Sequence, residues 1–156
     1  MNASEIRHPL SQHLMIVAGE VSGDSHAAAL VNAIKTLNPA ITFSGIGGTK
    51  MKAAGVAIDE DLTRFAVVGF FEVLKHYAEF KKSFDRFLKS VAERKPAAVI
   101  LVDYPGFNLR LAARLKKMGI KVIYYISPQV WAWKENRVQF IKKNVDLMLV
   151  LFDFEK

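Results

Sequence analysis

The chain contains no cysteine. Disulfides and thiolate metal sites are thereby excluded, and a reducing compartment fits. No apolar run approaches the ~20 residues that a membrane-spanning helix needs. Met1 to His13 holds no apolar core of signal-peptide length, so no secretory leader is expected. Contact with a membrane would then be made from its surface. Internal repeats, low-complexity tracts and linkers are also missing from the 156 residues, a length that suits one domain with a sizeable core. Neither Gly-x-Gly-x-x-Gly nor a loop ending in Gly-Lys-Ser/Thr occurs, which disfavours dinucleotide and triphosphate binding. His26 has no partner at metal-ligand spacing, and no metal site is expected. Basic charge without a reading helix or an aromatic sheet pattern also argues against a nucleic-acid partner.

What the chain does have is a globular composition, 51% apolar, with a net charge of +7. That charge suits an anionic partner such as a phosphorylated small molecule or an acidic headgroup, or it is solvated helix surface. Strand and helix patterns alternate throughout. Strands are predicted at 14–18, 41–44, 56–58, 97–102, 120–125 and 145–151. Helices are predicted at 22–37, 49–54, 70–94, 109–118 and 134–143, with Ser22 or Asp24 capping the first. Such alternation predicts a doubly wound, mainly parallel, Rossmann-like sheet of order 3-2-1-4-5-6. The carboxyl tips of strands one and four would then adjoin, bringing Gly19-Glu20 toward Asp103.

Four loops follow strands. In the first, Gly19, Gly23 and the following helix could approach an anion, yet Glu20 and Asp24 would repel a phosphate; a plain turn with Asp24 as cap is the other reading. The second, Ser44 to Met51, could hold an anion on its N–H groups with Lys50, or be a tight turn. The third carries Asp103 after the apolar run 97–102. A carboxylate there could take a proton from a substrate hydroxyl, or it could cap the helix beginning near Phe107. Pro105 and Gly106 make the turn sharp and should leave Asn108 pointing toward the mouth. The fourth, 127–137, carries Trp131 and Trp133, whose rings suit sugars or amphipathic ligands, or pack onto the sheet. Arg137 could meet a phosphate or Glu135.

The segment 62–74 is unusually apolar. The helix after it is amphipathic: Val73, Tyr77, Phe80, Phe84, Phe87 and Val91 form one stripe, opposite Lys75, Glu79, Lys82, Arg86, Lys89 and Glu93. Adjacent Phe70 and Phe71 cannot both face one core. An exposed aromatic near Lys75, Lys81 and Lys82 fits interfacial membrane binding, and a partner interface is the blander reading.

Four motifs, in order, resemble the lipid-A-disaccharide synthase family. They are Val17-Ala18-Gly19-Glu20-Val21-Ser22-Gly23-Asp24, Val67-Val68-Gly69-Phe70-Phe71-Glu72-Val73-Leu74, Val102-Asp103-Tyr104-Pro105-Gly106-Phe107-Asn108 and Tyr125-Ile126-Ser127-Pro128-Gln129-Val130-Trp131-Ala132-Trp133. The ending Phe152-Asp153-Phe154-Glu155-Lys156 resembles the family's Leu-Pro-Phe-Glu-Lys, with Asp153 in place of Pro. The resemblance implies the N-terminal half of a two-domain GT-B glycosyltransferase with inverting chemistry. Its reaction joins UDP-2,3-diacylglucosamine to 2,3-diacylglucosamine 1-phosphate, giving lipid A disaccharide 1-phosphate and UDP. On that pattern Asp103 is the catalytic base, and Glu20, Ser22, Gly23, Asn108, Gln129, Trp133 and Arg137 line the substrate cleft. Phe65, Val67, Val68, Phe70, Phe71 and Leu74 form the patch for membrane contact or acyl chains. No cofactor is implied. The expected setting is cytoplasmic, peripheral on the inner face of the inner membrane, and a homo-oligomer is compatible.

Residues 1–13 are expected to be an extension and 14–156 the acceptor-side domain, without the family's C-terminal nucleotide-sugar domain. The 156 residues alone are therefore expected not to turn over. A non-catalytic membrane- or lipid-docking module derived from that enzyme is the alternative, and an unrelated nucleotide-binding Rossmann protein is disfavoured by the acidic first loop.

Overall fold

A computed structural model of the chain describes residues 12–64, 77–128 and 136–151, without the side chain of Arg137. Six parallel strands form one sheet: β1 (His13–Ala18), β2 (Thr42–Ile46), β3 (Ala57–Glu60), β4 (Ala98–Val102), β5 (Val122–Tyr125) and β6 (Leu147–Leu149). Their order is β3-β2-β1-β4-β5-β6, as the alternation predicts. The helices are α1 (Val21–Leu37), α2 (Thr49–Ala53), α3 (Tyr77–Arg94), α4 (Pro105–Lys117) and α5 (Asn136–Asn144).

β4 is buried along its whole length, as a central strand covered on both faces must be. Its side chains alternate between two cores. Val99 and Leu101 join Met15, Val17, Val122 and Tyr124 against Phe87, Leu88 and Val91 of α3 and Leu111 and Leu115 of α4. Ile100 and Val102 join Ile16 and Ala18 against Ala27, Ala28 and Val31 of α1 and Met51 of α2. Small residues along the inner face of α1 let that helix lie close to the sheet. Gly23 sits in ordinary contact range of Val102 at the strand's end.

At Gly45, β2 passes so close to β1 that a Cβ would lie 2.0 Å from the Ile16 carbonyl oxygen, at φ +146°. Only glycine fits that backbone. Pairing of β2 with β3 shifts register at the same point.

The edge strand β3 runs two residues past the predicted end, through Asp59 and Glu60. Both charges are neutralised from α3. Arg94 makes a bidentate pair with Asp59 at 2.7 Å, and Arg86 bonds Glu60 at 2.7 Å. Arg94 also donates to Ser44 Oγ, which lies 2.8 Å from the His13 ring. Burial and the Arg94 charge hold the His13 imidazole below its usual range, favouring the neutral ring. The α3 stripe departs from expectation at its start. Phe87 and Val91 are buried and Phe80 and Phe84 pack onto the core, but Tyr77 is 62% exposed.

Asp24 does not cap α1. The residue before that helix is Glu20, in extended conformation, with no side-chain cap bond. Asp24, 4% exposed, instead reaches across to the second loop. Its carboxylate accepts from the N–H groups of Gly48 at 2.7 Å, Lys50 at 3.0 Å and Met51 at 3.1 Å. The glycine-rich loop therefore carries an anion belonging to the protein itself, which displaces the expectation of an external one. Lys50 turns to Ser25 Oγ at 2.6 Å. Replacing Asp24 with Ala strips the buried start of α2 of its acceptor. The expected cost is about 3 kcal/mol, from unsatisfied buried donors and a lost cap. Urea unfolding of the variant checks this, and a change below about 0.5 kcal/mol would mean that the loop finds other acceptors.

Candidate functional site

β1 and β4 are hydrogen-bonded neighbours, with Ala18 opposite Val102. β5 lies on the other side of β4, with Tyr125 opposite Val102. Three tips at the ~4.8 Å strand spacing thus stand in a row. The first loop leaves β1, the Asp103 turn leaves β4, and the fourth loop leaves β5.

The turn after β4 is tighter than predicted. α4 begins at Pro105, four residues before the predicted Leu109, with the proline in its first turn. Asp103 and Tyr104 both take left-handed backbone, at φ 46° and 48°. Two such residues without glycine cost about 1–3 kcal/mol each and persist only where neighbours hold them. Here the Asp103 N–H donates to the Tyr125 carbonyl at 2.9 Å. Its carbonyl accepts from Asn108 Nδ2 at 2.8 Å and from the Tyr124 hydroxyl at 2.7 Å. Asp103 is half-buried, and among the described residues its carboxylate makes no hydrogen bond or ion pair. It does not cap α4; the residue preceding that helix is Tyr104, with no side-chain cap bond.

Glu20 stands at the neighbouring tip, also half-buried. Burial pushes its carboxyl above the ordinary range, and the Asp103 charge pushes it the same way. Tyr104 follows Asp103 and lies near Glu20. Its ring rests on Gly19, where a Cβ would come within 2.5 Å of the ring. Burial, and then the Glu20 charge, raise the Tyr104 phenol. Tyr104 in turn lies against Phe107, which meets Phe84 of α3 edge-on at 5.6 Å. Two acids and a tyrosine hydroxyl at adjoining strand tips can accept and return a proton on a sugar hydroxyl.

Of the cleft residues expected from sequence, Glu20 and Asp103 come together. Ser22 is exposed on the first turn of α1, and Gly23 is buried against β4. Asn108 is placed differently from expectation. Rather than pointing toward the mouth it is fully buried, and its Nδ2 also donates to the Val102 carbonyl at 3.1 Å. A side chain so enclosed shapes the turn from beneath. Gln129, Trp133 and the side chain of Arg137 lie outside the described residues, as do Phe65, Val67, Val68, Phe70, Phe71 and Leu74. His26 meets Tyr125 edge-on at 6.4 Å. Among the described residues no three His, Asp or Glu side chains gather as metal ligands, and no helix is long and apolar enough to cross a membrane.

Two residues of this site escaped the sequence reading. A tyrosine at a buried strand position must find a partner for its hydroxyl, and that signal was available for Tyr124. Nothing local marks Tyr104 for left-handed backbone.

Because folding raises the Glu20 carboxyl, its ionised form works against the native state. Stability from this group is highest below its ordinary value of 4.5 and falls as pH rises through the raised folded value. Glu20→Gln is therefore expected to raise the melting temperature at pH 7 and to leave it nearly unchanged below pH ~4. Thermal melts across that range check the sign; a lower melting temperature at pH 7 would place Glu20 in a stabilising contact.

The family model for lipid-A-disaccharide synthetase matches residues 14–156. Lipid-A-disaccharide synthase 1 of Legionella pneumophila is 51% identical over 149 residues, covering 95% of this chain and 39% of that protein. The synthase of Trichlorobacter lovleyi is 50% identical over 144 residues, 92% of this chain and 38% of the relative. That of Coxiella burnetii is 42% identical over 146 residues. The chain thus spans about two-fifths of the length of these curated relatives. A Listeria monocytogenes crystal structure, described provisionally as a UDP-N-acetylglucosamine 2-epimerase, superposes with a TM-score of 0.58 over 90% of this chain and 39% of its own. At 12% identity that likeness is one of fold alone. With the family model matched from β1 to the last residue, this chain belongs to the lipid-A-disaccharide synthetase family.

Proposed function

We propose that this chain is the acceptor-side half of an inverting GT-B glycosyltransferase. The reaction joins UDP-2,3-diacylglucosamine to 2,3-diacylglucosamine 1-phosphate. The observation that carries this reading is the Asp103 carboxylate, without a partner among the described residues, at the β4 tip beside β1. Family membership supplies the substrate class.

The acceptor 6-hydroxyl oxygen attacks the anomeric carbon of the donor sugar as its proton passes to Asp103. The bond from that carbon to the diphosphate breaks on the opposite face, and UDP leaves with the electron pair. A base in this role must lie about 2.6–3.2 Å from the hydroxyl it deprotonates. Glu20, at the neighbouring β1 tip, is the second carboxyl within reach of an acceptor bound beside Asp103. Ser22, Gly23, Gln129, Trp133 and Arg137 complete the substrate-binding set in this reading.

A hybrid enzyme tests it. Residues 14–156 replace the matching segment of the Legionella pneumophila relative, and disaccharide 1-phosphate formation is followed. Asp103→Ala is expected to lower kcat by about 10²–10⁴-fold. Activity within a few-fold of the unsubstituted hybrid would remove Asp103 from the base role.

Both substrates carry acyl chains, and residues 65–74 with Lys75, Lys81 and Lys82 supply apolar and cationic groups in one stretch of sequence. We infer peripheral attachment there to the cytoplasmic face of the inner membrane. Co-sedimentation with phosphatidylglycerol vesicles is expected, weakened by salt and by Phe70→Asp. Equal pelleting of that variant, or none of the parent chain, would contradict it.

A further inference from the structure

We propose that Tyr124 is a positioning residue for Asp103, acting from the core through the backbone of the turn. The inference rests on the reading of Asp103 as the base and extends it to a residue that touches no substrate.

Tyr124 is fully buried among the apolar side chains of the α3–α4 face of the sheet. In register it stands opposite Leu101 on β4. Its hydroxyl therefore reaches along the strand direction, past Val102, to the carbonyl oxygen of Asp103 at 2.7 Å. A buried phenol could be replaced by phenylalanine at little cost in packing. What the hydroxyl adds is a directed bond that ends on the residue carrying the carboxylate.

Asp103 requires such a bond. It occupies left-handed backbone without being glycine, and so does Tyr104 after it. Relaxation of either φ to a negative value would rotate the Asp103 Cα–Cβ bond and move the carboxylate away from the β1 tip. Three hydrogen bonds oppose this: N–H to Tyr125, and the carbonyl from Asn108 and Tyr124. The bond to Tyr125 extends the β4–β5 ladder and fixes the amide before Asp103. The Asn108 amide comes from α4, within the same β4–α4 connection as the turn. Asn108 Nδ2 also reaches the Val102 carbonyl at the end of β4, whereas Tyr124 ties the Asp103 carbonyl to β5, a strand that is not part of the β4–α4 connection. Tyr124 thus ties the peptide following Asp103 to the buried centre of the sheet.

Tyr124→Phe keeps the ring and removes the bond. Two measurements on it are needed. In the isolated chain, nuclear magnetic resonance reads the strong intraresidue HN–Hα Overhauser effect that marks positive φ at Asp103 and Tyr104. In the hybrid enzyme, kcat and KM are measured beside those of Asp103→Ala. The expected result is a weakened Overhauser effect at Asp103 and a kcat lowered about 10–100-fold, with KM within about twofold. An Overhauser effect of undiminished strength overturns the proposal whatever the rate. So does an unchanged kcat in a hybrid that Asp103→Ala disables. If Asp103→Ala itself leaves turnover intact, the base reading falls, and the Overhauser measurement alone then decides whether Tyr124 holds the turn.

Discussion

The pairing of β1 with β4 is the constraint from which the rest follows. In a parallel sheet each connection must cross a face, so the chain winds outward from β1 through β2 to β3 and then returns to begin again at β4. The two halves meet at the β1–β4 pair, and there the loops leaving neighbouring tips go to opposite faces. α1 leaves the β1 tip for one core, α4 leaves the β4 tip for the other. The gap between them is a crevice that the fold makes without any special residue. Glu20 and Asp103 merely occupy its two banks.

Burial explains why the chemistry is confined to this rim. β4 is apolar throughout and covered on both faces, so a charge within it would lose its hydration with nothing in return. One residue beyond Val102 the helices diverge, and a carboxylate becomes tenable. Charges on the sheet itself occur at the β3 edge, where Arg86 and Arg94 answer Glu60 and Asp59. The same economy governs Asp24: a nearly buried acid is stable because three backbone N–H groups converge on it. Asp103 differs from these acids. Its backbone is fastened at both N–H and carbonyl, while its carboxylate is left without a partner among the described residues. That division suits a group held in place for a ligand.

Much of this was legible in the residues. The apolar run 97–102 identified β4, alternation identified the sheet, and strand order alone brought Gly19-Glu20 toward Asp103. Where the reading departed from the structure, long-range contacts had overridden local preference. Asp24 has the composition of an α1 cap, yet the glycine-rich loop 26 residues downstream of it at Lys50 offers better donors. α4 starts at Pro105 because Tyr104 turns left-handed, a conformation imposed by the Asn108 and Tyr124 bonds and by the open face of Gly19. Tyr77 belongs to the apolar stripe by spacing but lies beyond the part of α3 that the sheet covers. Strand β3 continues through two acids because partners for them come from a helix distant in sequence.

In the proposed reaction Asp103 receives the proton of an acceptor hydroxyl at this crevice. A crystal structure of the chain with 2,3-diacylglucosamine 1-phosphate tests it most directly. The sugar is expected between the β1 and β4 tips, its 6-hydroxyl oxygen about 2.6–3.2 Å from an Asp103 carboxylate oxygen. A sugar seated elsewhere on the sheet, or one in the crevice with that hydroxyl turned toward another group, would contradict it.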